Sequence, residues 1–306
     1  MEIDYEELEK QIKMIPPQIG YELQREMENR LKKCGLYYRM FSRTKGASSV
    51  VKKMKKKQYN STKKKMQDLI GVRVALYFRD DVDICVELIK QQYQVVEITR
   101  DAKTSDKFSP IRLNIVCKMP DIISNRFEQE LWSFPIDKTF EVQIRTVFSE
   151  GWHEVEHDLR YKNQDDWAEH MELSRSLNGI FAALELCDRS ILNVLDELAY
   201  NKYKSGDWNA MLRNHLRLRL DNDQLSPNLT QLFTENQQLA KDFYKVNRDK
   251  LLLLLGNENM CTFPMRMDNI VYIINEFIVH NSEISALVPA AFISRINKSK
   301  EIMGQV

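Results

Sequence analysis

The sequence predicts an α/β (α+β) fold, a mixed sheet of four to five strands flanked by helices, followed by an all-helical C-terminal region. Three observations carry that expectation. Short β-branched and aromatic runs alternate with amphipathic stretches between residues 36 and 165. Strand signals stop at about residue 166. Beyond that point apolar residues recur at helical spacing, as at Ile270, Ile274 and Phe277. The expected organisation is N-terminal helices over 1–35, an α/β domain over 36–165 and a helical region over 166–306.

The elements follow in order. Residues 3–14 read as a short helix stopped by Pro16 and Pro17. Residues 18–34 place Ile19, Leu23, Met27 and Leu31 four apart, an amphipathic helix with Gly35 as its stop. Residues 36–43 are extended, and Ser48 or Ser49 is positioned to cap a helix through the lysines that follow. Ile70–Phe78 is strand-like, 80–92 helical, and 93–98 a strand. A loop over 101–110 leads to a strand at 111–118, and a strand at 139–145 runs into a helix over 148–161. Helices are expected at 167–200, 207–220, 229–255, 265–281 and 283–297, with linkers at 222–228 and 256–264.

Hydrophobic residues make up 43% of the 306, enough for a packed core, and the formal net charge is +1. The chain as a whole is therefore no polybasic nucleic-acid binder. Charge is nonetheless concentrated: residues 52–65 hold eight lysines and no acid. Such a run is either a solvated face or a phosphate-binding surface. Five scattered cysteines and no CxxC argue against a disulfide framework and fit a reducing, cytoplasmic setting. The acidic N-terminus is no signal peptide, and the apolar run Leu251–Leu255 is too short to span a bilayer, so no membrane association is expected.

Four segments concentrate polar groups beside apolar ones. In Arg43-Thr-Lys45-Gly-Ala-Ser-Ser49-Val-Val-Lys-Lys53, cations flank a turn and a helix start, which together suit an anion. Asp68 stands at the entrance of an apolar strand that also bears Arg73, where a carboxylate needs a metal, a cation or an amide. Mg2+ is a suitable partner, because it is held by one or two carboxylates plus substrate phosphates. In Phe140–Thr146, Glu141, Gln143 and Arg145 share one strand face while Phe140, Val142 and Ile144 share the other. Glu141 would then complete a metal or general-base pair with Asp68. The fourth segment, Trp152–Lys162, has Trp152, Val155 and Leu159 as a stripe to dock a helix on the sheet. It also contains His153-Glu-Val-Glu-His157, the HExxH spacing of zinc proteases, but lacks the extended motif's third histidine. Glu172 or Glu185 would have to serve instead.

Jointly these segments resemble the synthetase domain of the RelA/SpoT family, over residues 36–165. RTKGASSVVKKM is similar to that family's ATP-binding stretch, DLIGVRV to its strand with the magnesium aspartate, and FEVQIRT followed by WHEVEHDLRYK to its strand and tryptophan-led helix. The resemblance implies a nucleotidyltransferase-like sheet and an ATP-dependent pyrophosphokinase making (p)ppGpp from GDP or GTP. It implies that Arg43, Lys45, Ser49, Lys53 and Arg73 bind ATP, and that Asp68 and Glu141 are the catalytic carboxylates and hold Mg2+. Gln143, Arg145, His157 and Lys162 would line the acceptor side.

One stretch departs from the family. Its Gly-Tyr-x-Ser-x-His loop is replaced here by Lys107-Phe108-Ser-Pro-Ile-Arg112-Leu-Asn114. Phe108 keeps a ring face for stacking, Arg112 adds charge, and Asn114 completes the acceptor set. Toxic relatives that pyrophosphorylate the 3′ end of tRNA are therefore an alternative. Readings of other classes are a zinc protease and an inactive nucleotide-binding module. The helical region resembles no family and shows no hydrolase-type metal motif, so synthesis without hydrolysis is expected. Its apolar faces need a partner surface, either the α/β domain or a second subunit of a homo-oligomer.

Overall fold

A computed structural model describes residues 3–16, 18–60, 64–100 and 113–304. The chain divides into two compact units. One comprises 1–28 and 38–186, the other 29–37 and 187–306. This partition differs from the expected 1–35, 36–165 and 166–306. Residues 166–186 belong with the sheet because Phe181 packs on Trp152 (ring centroids 5.5 Å apart) and Glu185 pairs with Arg79 at 3.5 Å.

The first unit opens with α1 (Tyr5–Lys13), capped by the Asp4 carboxylate on the amides of Glu6 and Glu7, and α2 (Gln18–Lys33). The sheet follows: β1 (Tyr38–Thr44), β2 (Ile70–Leu76), β3 (Val95–Arg100), β4 (Leu113–Lys118) and β5 (Thr139–Thr146), in spatial order β1-β2-β5-β4-β3. β2 and β5 are parallel and every other neighbour is antiparallel. Helix α3 (Ala47–Lys57) joins β1 to β2, and α4 (Asp81–Gln92) makes the crossover that a parallel pair requires. The apolar face of the sheet is dry. Phe140, Val142, Ile144, Val72 and Val74 are all at most 1% exposed, and burial pushes the Cys117 thiol up to about 12. The mixed five-stranded sheet and helical C-terminal region agree with the fold class read from sequence.

Three local expectations need correction. Neither Ser48 nor Ser49 caps α3; Gly46 does, without a side-chain bond, and α3 ends where Gln58 takes a left-handed conformation (φ 50°). The stripe of Trp152, Val155 and Leu159 does not dock. After α6 (Val147–Val155) the chain widens into a π-helical turn over Glu156–Tyr161, leaving Val155 and Leu159 45% and 62% exposed while Trp152 is buried. A wide turn breaks the three-and-four spacing on which the stripe depended. A short helix, α5 (Asp121–Ser124), and a 3-10 turn at Gln129–Ser133 were also not anticipated.

Helix α7 (Gln164–Trp167) precedes α8 (Met171–Ser205), a helix of 35 residues that Gly206 (φ +75°) terminates. The second unit continues with α9 (Trp208–Leu216). The single helix expected over 229–255 is three: α10 (Pro227–Glu235), α11 (Gln237–Tyr244) and α12 (Arg248–Gly256). Asn236 and Asn247 divide them, each accepting an amide hydrogen bond two or three residues into the next helix, from Leu239 and Lys250. α13 (Met267–Ile274) runs into a π-helical turn at Asn275–Val279, and Pro289 separates α14 (Ser282–Leu287) from α15 (Ala290–Met303). Among the described residues no helix is long and apolar enough to cross a membrane.

The corrected stripe yields a stability contrast. Trp152→Ala is expected to cost about 3–5 kcal/mol, whereas Leu159→Ala should stay within about 0.5 kcal/mol. Urea denaturation of both variants checks this, and equal losses would mean that the 156–161 turn docks after all.

Candidate active site

The parallel register of β2 and β5 creates the site. Gly71 lies opposite Glu141, Arg73 opposite Gln143 and Ala75 opposite Arg145. β1 adds Arg43 beside Gly71 and Phe41 beside Arg73, while β4 adds Asn114 beside Gln143. Strand alternation therefore puts Arg43, Arg73, Glu141, Gln143 and Asn114 on the sheet face opposite the dry one. A cleft of about 100 Å³ opens there, lined by Phe41, Ser42, Arg43, Lys45, Gly71, Val72, Arg73, Glu141 and Gln143. Gly71 forms open floor, since a Cβ there would meet nothing within 4 Å.

Asp68 enters from the loop before β2. Its Oδ2 accepts from Lys45 Nζ at 2.8 Å and from Lys53 Nζ on α3, and its backbone carbonyl accepts a second Lys45 bond at 3.0 Å. Burial alone would raise the Asp68 carboxyl, but the ammonium groups of Lys45 and then Lys53 outweigh it and hold the group below the ordinary carboxylate range. The converse holds for Lys53: burial lowers it, and Asp68, with smaller help from Tyr59 and Glu141, raises it overall. Glu141 is thus within electrostatic reach of Lys53. Its own hydrogen bonds come from neutral amides, Asn114 Nδ2 at 3.0 Å and Gln143 Nε2 at 2.7 Å.

A second polar cluster abuts the first. Arg73 donates to Glu150 Oε1 at 2.6 Å and to Glu154, both on α6, and weakly to Gln143 Oε1 at 3.4 Å. Glu150 also accepts from Arg145 at 2.9 Å, a nearly buried pair with side chains 13% and 4% exposed. Glu150 was missed in the sequence, although its place in the first turn of α6, four residues before Glu154, puts two acids on one helix face.

Residues 42–166 match the family model described as the region found in RelA / SpoT proteins. This segment is a RelA/SpoT domain. The chain is similar to GTP pyrophosphokinase YwaC of Bacillus subtilis (strain 168), with 29% identity over 131 residues, 41% of this chain and 59% of that relative. The chain thus spans less than two thirds of that relative's length. Similar solved structures include small alarmone synthetase 2 from Bacillus subtilis, with 23% identity, TM-score 0.44, and 58% of this chain and 88% of that one covered. Small alarmone synthetase 1 of the same organism, bound to its product pppGpp, gives 19%, 0.46, 60% and 93%. A GTP pyrophosphokinase family protein from Streptococcus pneumoniae gives 20%, 0.47, 64% and 95%.

Within the RelA/SpoT segment, Arg43, Lys45, Arg73, Glu141 and Gln143 line one cleft, with Asp68 and Lys53 bonded at its edge. Asn114 supports Glu141. Arg145 is buried against Glu150, which makes it a structural partner of α6 and not an open acceptor contact. Ser49 is exposed on α3 and is not among the cleft-lining residues. His157 and Lys162 both bond Asp158, at 2.9 and 2.7 Å, on the π-helical turn, and do not line the cleft either. Phe108 and Arg112 lie outside the described residues.

The donor set fits Mg2+. Asp68 Oδ1 is buried and has no hydrogen-bond partner among the described residues, as a carboxylate oxygen meant for a cation would be. The HExxH spacing is used otherwise: Glu154 pairs with Arg73, His157 bonds Asp158, and Glu185 pairs with Arg79. Among the described residues no group of three or more His, Cys, Asp or Glu is arranged to hold a metal ion.

Two outcomes follow from the pairing. Glu150→Ala breaks a buried ion pair and should cost about 3–5 kcal/mol, against at most about 1 kcal/mol for the half-exposed Glu154→Ala. Chemical denaturation ranks them. Asp68 supplies a pH test. Its folded pKa lies below its unfolded one, so its contribution is complete above about pH 4. That contribution is lost as pH falls through the lowered folded value. The melting-temperature gap between wild type and Asp68→Asn should therefore narrow from pH 7 toward about pH 2. A gap independent of pH would exclude the Asp68–lysine pairing.

Proposed function

We propose that the protein is an ATP-dependent pyrophosphokinase that transfers the β,γ-diphosphate of ATP to the 3′-hydroxyl of GDP or GTP. The observation that carries this reading is the cleft itself: Glu141, Arg43, Lys45 and Arg73 line it, and Asp68 is bonded to Lys45 and to Lys53 of α3 at its edge. Four cations around two acids suit a polyphosphate whose charge must be held while a neutral hydroxyl is activated. The RelA/SpoT match and the likeness to a GTP pyrophosphokinase support the same class.

In this reading Arg43, Lys45 and Lys53 hold the donor phosphates. The lysines now bond Asp68, and their flexible stems allow them to turn onto a phosphate by a change of rotamer. Asp68, through the Oδ1 that has no partner among the described residues, and Glu141 would hold Mg2+, which would supply Lewis-acid neutralisation of the phosphate oxygens when bound. Glu141 takes the proton of the acceptor hydroxyl. The hydroxyl oxygen bonds to the β-phosphorus, the bond from that phosphorus to the α-phosphate oxygen breaks, and AMP leaves. Asn114 and Gln143 hold the Glu141 carboxylate in place through hydrogen bonds from their amide groups.

Incubation of the purified chain with ATP, Mg2+ and GDP or GTP should give AMP and a nucleotide heavier by one diphosphate. Asp68→Asn and Glu141→Gln should each lower the rate by about 10²-fold or more, with the fold retained by circular dichroism. Near-normal turnover in either variant would refute the roles. Exposed Lys52, Lys55, Lys56 and Lys57 on α3 favour a polyanionic acceptor as the second reading. In that case tRNA gains the diphosphate at its terminal adenosine, and the rate falls steeply with salt. Phe108→Ala and Arg112→Lys should weaken use of whichever acceptor reacts, and unchanged kinetics in both would remove that loop from the acceptor site.

A further inference from the structure

Asn114 is an unusual residue for its place. It stands in β4 between Leu113 and Ile115, both buried, and asparagine is depleted from strands because its amide competes with the backbone. Strand parity turns it to the open face, in register with Gln143. Its Nδ2 donates to Glu141 Oε1 at 3.0 Å, and since an ionised carboxylate only accepts, that bond fixes which end of the amide faces Glu141. The other end, Oδ1, is buried and has no hydrogen-bond partner among the described residues. An amide oxygen left unmatched away from water is costly. Gln143 does not offer the same, because its Nε2 is on Glu141 at 2.7 Å and its Oε1 accepts weakly from Arg73 at 3.4 Å. Position adds a direction. Arg43 and Arg73 lie on β1 and β2, and Lys45 and Lys53 are bonded to Asp68 just before β2. In the order β1-β2-β5-β4-β3 these cations are on one flank of Glu141 and Asn114 is on the other. A donor polyphosphate on the cations leaves an acceptor to approach Glu141 from the β4 flank.

We propose that Asn114 reads the sugar of the acceptor: its Oδ1 accepts a hydrogen bond from the 2′-hydroxyl while Glu141 takes the proton of the neighbouring 3′-hydroxyl. The assignment rests on the diphosphate-transfer reading above. The 2′ and 3′ oxygens of a ribose sit on adjacent carbons, within hydrogen-bond distance of one another, and so call for two acceptors side by side. Glu141 and Asn114 are such a pair. A modest turn of the amide about its broad χ2 torsion carries Oδ1 toward a hydroxyl placed on Glu141. A 2′-deoxy sugar leaves Oδ1 unmatched in the complex, and a site that hydrogen-bonds a substrate hydroxyl rejects the analogue lacking it for that reason. Asn114 is thereby a specificity-determining residue, selecting ribose over deoxyribose.

The test compares GDP with 2′-deoxy-GDP as acceptors, at fixed ATP and Mg2+, for the full wild-type chain and for Asn114→Ala. Wild type should prefer GDP by about tenfold or more in kcat/KM. In Asn114→Ala both acceptors should slow, because Glu141 loses a bond, and the preference should fall to near unity. Equilibrium binding of the same two nucleotides without ATP should give the same change in preference without chemistry. Wild type that uses the two equally overturns the assignment. So does a preference that survives in Asn114→Ala, which is what a residue that merely steadies Glu141 would show. Where Asn114→Ala fails to fold by circular dichroism, Asn114→Val, a strand former with no side-chain acceptor, takes its place. A chain that neither binds nor uses either acceptor rejects diphosphate transfer to GDP and the assignment with it, whereas equal use of both rejects the assignment alone.

Discussion

The parallel pairing of β2 with β5 is the constraint on which the site depends. These strands are far apart in sequence, and only their register brings Gly71 and Arg73 alongside Glu141 and Gln143. A parallel pair cannot close by a tight turn, so the chain must cross over, and α4, β3 and β4 are what that crossover contains. The dry face of the same strands, with Val72, Val142 and Ile144 buried, makes a slip of one residue prohibitively costly. Such a slip would bury Arg73 and Glu141 and expose the valines. Hydrophobic burial on one face thus sets the geometry of the charged groups on the other.

With that face fixed, its electrostatics divide. Arg73 and Arg145 are held by Glu150 and Glu154 from α6, so the end of β5 and the start of α6 are tied through guanidinium–carboxylate contacts. Bidentate-capable arginines suit this role, and Arg145 at 4% side-chain exposure would be untenable without its acid. The lysines behave differently. Lys45 and Lys53 share a single oxygen of Asp68, at 20% and 29% side-chain exposure, close enough to solvent to exchange partners. Arginine–glutamate pairs frame the cleft, and the Asp68-bonded lysines stand at its edge.

Much of this was legible in the sequence because it rests on alternation. Glu141, Gln143 and Arg145 on one face and Phe140, Val142 and Ile144 on the other follow from a period of two, and the five strands were each located to within a few residues. What failed depended on local geometry with no periodic trace. The π-helical turn at 156–161 took Leu159 out of the row begun by Trp152, Val155 at the end of α6 faces solvent, and two asparagine caps split one expected helix into three. The resemblance implied Arg145 as an acceptor contact; strand parity says which face a side chain takes, but not that Glu150 of the next helix will pair with it. Asn236, Asn247 and Pro289 were visible signals outweighed by continuous apolar spacing.

The four carboxylates near the cleft also differ in what completes them, and that difference separates framework from chemistry. Glu150 and Glu154 are matched by guanidinium groups, so their charge is spent on geometry. Glu141 is held by two amides, which fix its orientation without neutralising it. Asp68 has one oxygen doubly occupied by ammonium groups and the other buried without a partner among the described residues. Among the described residues, Asp68 thus keeps a buried carboxylate oxygen without a hydrogen-bond partner, and Glu141 is bonded by amides beside a cluster of cations. The apolar face of the same sheet is fully packed, so the framework that holds Asp68 and Glu141 in place is set by the strands' other side.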